Sequence, residues 1–104
     1  PTPGRNPATS QIDPGWEGGW LTKFSTGVRQ HNTFSEGGNR GSNTSGWSSD
    51  GGVRIDGDRL ILTYQDDRIE RWTRVGHRMV VEHWHPAKNF PAEKPTVGIA
   101  ERVR

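Results

Sequence analysis

At 104 residues and a formal net charge of +2, the chain has room for one domain with one modest core. Basic and acidic residues are interspersed, which argues against a nucleic-acid footprint, and the absence of cysteine excludes disulfides and thiolate chemistry. Hydrophobic residues at 28% and a mean hydropathy of −0.94 lean towards disorder, but five tryptophans argue for a packed core. No apolar run approaches the length of a membrane span.

Residues 1–14 carry Pro1, Pro3, Pro7 and Pro14 and almost nothing apolar, so they read as an extended arm or linker ahead of one domain at 15–104. The arm resembles the tether that follows a bacterial signal or lipoprotein peptide, and the chain starts at Pro1 rather than Met. The expected location is therefore extracytoplasmic: periplasmic, lipoprotein-tethered or secreted.

The first strand is expected from Trp16 to Phe24, with Trp16, Trp20 and Phe24 on one face; its glycines and the Ser25-Thr26-Gly27 turn argue against a helix. Val28 to Phe34 follows, with Val28, Gln30, Asn32 and Phe34 on one side. Glu36 to Ser45 is polar and glycine-rich, either a long loop or an irregular edge. Trp47 then opens a ribbon that turns at Ser49-Asp50-Gly51-Gly52 into Val53.

Val53 to His85 is a meander of strand-like runs separated by turn signals, and the rest of the domain is organised around it. Two-residue turns at Gly57-Asp58, Asp66-Asp67 and Gly76-His77 set an expected register. Ile55 then faces Leu60, Tyr64 faces Ile69, Leu62 faces Arg71, and Arg71 faces Glu82. One face carries Val53, Ile55, Leu60, Leu62, Tyr64, Ile69, Val75, Val80 and Trp84, and its apolar character marks it as the interior. Trp72, Met79, Val81, His83 and His85 are placed on the outer face.

Pro86, Pro91 and Pro95 exclude a central strand and make a crossing loop or lid; Thr96 to Val103 is a last strand that returns to the first and closes the sheet. The expected fold is all-β: an antiparallel up-and-down meander of six to eight strands curled into a small barrel. The Gly18-Gly19-Trp20 opening, the meander with Trp47 and the DGDRLILTY hairpin together resemble short bacterial lipocalin-like (calycin-type) barrels over residues 15–103. That resemblance implies a binder of a small, partly apolar molecule.

In the expected register the ligand site has Leu62, Tyr64 and Trp84 as apolar walls, with Arg71 and Glu82 as polar anchors. A bare ion pair among apolar residues seldom stabilises, which is why it reads as a ligand anchor; a wetted pair that fixes register is the plainer account. An alternative is a structural or interaction domain that uses an outer Trp72, Met79 and Val81 strip, which also offers a face for self-association. A third reading is a small acid–base enzyme using Glu82, Tyr64 or a histidine. His83 and His85 share metal-type spacing, with Glu70 across from His83, but no clear third nitrogen accompanies them; neither a metal nor a cofactor is expected.

Overall fold

A computed structural model describes residues 16–35 and 38–103; the proline-rich arm expected over residues 1–14 lies outside them. Among the described residues, eight antiparallel strands form an up-and-down meander that closes into a barrel. They are β1 (Gly18–Phe24), β2 (Arg29–Ser35), β3 (Gly38–Asn43), β4 (Ser48–Asp56), β5 (Arg59–Tyr64), β6 (Ile69–Val75), β7 (Arg78–Trp84) and β8 (Thr96–Arg102). The last strand pairs with the first, Thr22 opposite Ala100, so the meander leaves no open edge. The only helical element described is a single 3-10 turn, Ala87–Asn89.

The turns differ between the two ends of the barrel. At one end, three hairpins have three-residue loops: the backbone N–H groups of Phe24, Asn43 and Tyr64 donate to the carbonyls of Val28, Trp47 and Arg68. The third loop residue is Gly27, Gly46 or Asp67, at φ of 93°, 96° and 70° respectively. This is the usual three-residue hairpin, a turn followed by one left-handed residue, and aspartate is among the few side chains that tolerate the position. At the other end, Asp56 pairs with Arg59 and Val75 with Arg78 across two-residue loops that begin on Gly57 and Gly76.

Asp67 is where the expected register fails. Thr63 pairs with Ile69 and Leu62 with Glu70, in place of Tyr64 with Ile69 and Leu62 with Arg71. One additional loop residue turns the following hairpin inside out. Arg71 still faces Glu82 and Ile69 still faces Trp84, because the Gly76-His77 turn has the expected two residues. Arg71, Glu82, Trp84, Ile69, Val75 and Val80 therefore lie on the outer face, and Glu70, Trp72, Met79, Val81 and His83 on the inner one.

Two further expectations change. The polar 36–45 stretch contains strand β3, and Ser49–Gly52 is not a turn but lies within β4. Both were obscured by glycines that serve close packing. A Cβ on Gly51 would lie 1.7 Å from the Thr63 carbonyl oxygen, and one on Gly41 would lie 2.9 Å from the Tyr64 ring. Only glycine lets the backbone approach so closely.

Trp72 fills the middle of the barrel, fully buried, with edge-on contacts to Trp20 (6.1 Å between centroids) and Phe34 (5.0 Å). Leu60, Leu62, Met79, Val81 and Ala100 complete the apolar packing. Trp16 is buried at the two-residue-turn end, where its carbonyl accepts the Trp20 indole N–H at 3.0 Å and Arg74 lies over its ring. Trp84 is buried from the outside by the crossing loop: Phe90 packs on its ring at 4.8 Å, and its indole N–H donates to the Glu93 carbonyl.

Candidate functional site

Side-chain alternation points Gln30 and Asn32 of β2, Tyr64 of β5, Glu70 of β6 and His83 of β7 into the barrel, towards the end with three-residue turns. Glu70 is the hub, with none of its side chain exposed. Its Oε1 accepts the Tyr64 hydroxyl and the Trp72 indole N–H, each at 2.9 Å. Its Oε2 accepts the Gln30 amide at 2.8 Å and meets His83 Nδ1 at 2.7 Å. A carboxylate has about four lone-pair sites, so this group is saturated. Asn32 extends the network by donating to the Tyr64 oxygen at 2.7 Å and to Asn39 Oδ1 at 2.8 Å.

The Tyr64 phenol is pushed well above its ordinary value, first by burial and then by the adjacent Glu70 charge, which outweigh the hydrogen bond from Asn32. It is a neutral hydroxyl at any ordinary pH. That state suits the structure, because the hydroxyl must donate to Glu70 while accepting from Asn32.

A cavity of about 170 Å³ opens onto this cluster from the three-residue-turn end. Phe24 and Val28 form its apolar wall, and Gln30 and His83 form its floor. Thr26, Asn43, Arg68 and Thr96 stand around the rim. Phe24 also packs edge-on against the His83 ring, with centroids 5.7 Å apart. Arg68 is held in place: its Nε donates to Asp66 at 2.9 Å, its guanidinium lies 4.7 Å from the Trp47 ring centroid, and the Trp47 indole N–H donates to the same Asp66 oxygen. Burial would raise the Asp66 carboxyl, but the hydrogen bonds from Trp47 and Arg68 and the Arg68 charge prevail and hold it below the usual range.

Of the residues expected to form the site, Leu62 and Tyr64 point inward, and Tyr64 joins the buried network. Arg71, Glu82 and Trp84 form a separate cluster outside the barrel. Arg71 makes a two-bond ion pair with Glu82 at 2.8 and 3.2 Å, and its guanidinium lies 5.3 Å from the Trp84 ring centroid. Their side chains are only 22% and 24% exposed, so the pair is half-buried under the crossing loop rather than an interior anchor. The Trp72, Met79 and Val81 strip is fully buried and offers no contact surface. Glu70 does stand opposite His83, but on the inner face, while the exposed His85 lies beyond the end of β7.

Gln30, Asn32, Glu70 and His83 are the residues that sequence reasoning left out of the site. The turn chemistry of Asp67 was the signal that would have turned Glu70 and His83 inward, towards the Gln30 and Asn32 side of β2. Among the described residues, no group of three or more His, Cys, Asp or Glu is placed to hold a metal ion. Compared with known protein families, curated proteins and solved structures, the chain matches none.

Proposed function

We propose that this protein is a lipocalin-like binding module that takes a small, single-ring organic molecule into the mouth cavity, with Phe24 and Val28 against the ring and His83 and Gln30 beneath it. The observation that carries the reading is a solvent-open cavity whose floor belongs to a polar network built on the fully buried, saturated Glu70 carboxylate. Buried charged clusters generally stabilise less than apolar packing of the same volume. The other half of this interior is packed with aromatic and aliphatic side chains, so the fold has an apolar solution available. A polar floor beneath an apolar wall is the usual composition of a small-molecule site. The volume sets the size: a void of about 150 Å³ holds a benzene ring, whereas drug-sized ligands need about 300 Å³ or more.

Acid–base catalysis in the same cavity is the second reading, favoured by the Glu70–His83 contact. A carboxylate behind an imidazole fixes its tautomer and the orientation of its far nitrogen. Binding comes first in either case and is tested first. Titration of the protein with toluene, phenol and benzoate, followed by NMR, should shift resonances of Phe24, Val28 and His83. Thr96→Trp, which fills the rim, should abolish those shifts and leave the spectrum of the folded barrel intact. Failure of all three compounds to bind, or binding that survives the rim substitution, refutes the assignment.

A further inference from the structure

Resting on that reading of the mouth cavity, the chemistry of its floor says which end of the ligand goes in first. Glu70 accepts from Tyr64 and Trp72 at Oε1 and from Gln30 at Oε2, and the fourth contact, Oε2 with His83 Nδ1, shares one hydrogen. Imidazole is a stronger base than a carboxylate, so that hydrogen rests on His83 Nδ1 and Glu70 accepts it. In a neutral imidazole with Nδ1 protonated, Nε2 is an acceptor.

Gln30 leads to the same polarity. Its amide nitrogen sits 2.8 Å from Glu70 Oε2 and 2.8 Å from Asn32 Oδ1, both acceptors, which fixes that position as NH2 and leaves the carbonyl oxygen over. Among the described residues no donor reaches His83 Nε2 or Gln30 Oε1, and neither atom is a buried orphan. Both residues line the cavity, so the two acceptors open onto it. The charged groups around it are Glu70 behind the imidazole and Arg68 at the rim, the latter already paired with Asp66.

We infer that His83 Nε2 and Gln30 Oε1 form an acceptor floor, and that the ligand is a single-ring compound entering with an O–H or N–H donor foremost, as a phenol does. A ring without a donor leaves both acceptors dehydrated and unpaired. A carboxylate pointed inward brings acceptors against acceptors.

The experiment compares phenol, anisole and benzoate at neutral pH by calorimetric or NMR titration of the intact chain. Phenol should bind about tenfold more tightly than anisole, the value of roughly one well-made hydrogen bond, and benzoate should bind no better than anisole. His83→Phe should erase the preference for phenol. Because that substitution strips a partner from Glu70, a second measurement uses the unaltered protein: the ring-nitrogen resonances of His83 should report an Nδ1–H tautomer, with Nε2 moving on addition of phenol and not of anisole. Equal binding of phenol and anisole, or an Nε2–H tautomer, overturns the inference and leaves single-ring binding standing. Preference for benzoate shows a donor floor and also overturns it. If no ring compound binds, the ligand site itself is refuted and the inference with it.

Discussion

The two ends of the barrel interior solve the same packing problem in opposite ways. At the two-residue-turn end, Trp16, Trp20, Phe34, Leu60 and Met79 interlock, with arginines lying over the two tryptophan rings. At the three-residue-turn end, Gln30, Asn32, Tyr64, Glu70 and His83 bond to one another around a carboxylate, and a cavity remains above them. The first end gains from burial and shape. The second gains little from burying charge and exposes two unused acceptors to a void. In the proposed reading, the difference separates the part of the molecule that holds it folded from the part that takes a ligand.

The separation is open to attack by substitution. Phe34→Ala, deep in the apolar end, should cost about 3–5 kcal/mol in urea denaturation, with phenol affinity of the remaining folded protein unchanged. Loss of binding in step with stability would merge the two regions. Glu70→Gln keeps the shape but turns an NH2 towards groups that now donate. It should cost roughly 2–4 kcal/mol, since at least one buried donor is orphaned, and it should also abolish the preference for phenol over anisole because the His83 tautomer is no longer fixed.

Tyr64 sharpens the comparison through pH. Its folded pKa lies above the unfolded value of about 10, so the stability it contributes is complete below that pH and is lost as pH rises through the folded value. It is the sole tyrosine in the chain, so a tyrosinate absorbance titration reads this group alone. The curve should be displaced to high pH and coincide with unfolding. Tyr64→Phe should cost roughly 1–3 kcal/mol at neutral pH and remove the part of the alkaline loss due to this group. Arg71→Ala should have the smallest effect, about 1 kcal/mol or less for a partly exposed pair together with some lost packing on Trp84, and none on phenol binding.

Much of the fold was legible in the sequence, because the alternation in β5 and the Gly57 and Gly76 turns carry their physics locally. The closing strand was legible as well, since Thr96 to Val103 is patterned and preceded by prolines. The site was legible only in part. Tyr64 was found because it precedes the turn that carries Asp67, and everything on β6 and β7 was reversed because it follows that turn. An aspartate at positive φ adds one residue to the loop, and a period-two structure converts that residue into an exchange of inside and outside. Glu70 opposite His83 was visible as a pair, but which face held it depended on Asp67. The glycines at 41 and 51 looked like loop residues because their reason for being there, the ring of Tyr64 and the carbonyl of Thr63, lies on a strand distant in sequence.

A crystal structure of the protein soaked in phenol decides whether the polar end of the barrel is a binding site. Ring density is expected against Phe24 and Val28, with the hydroxyl oxygen about 2.7–3.0 Å from His83 Nε2. Phenol bound only at the outer Trp84–Phe90 cluster, or a mouth cavity holding nothing but water at saturating phenol, would contradict it.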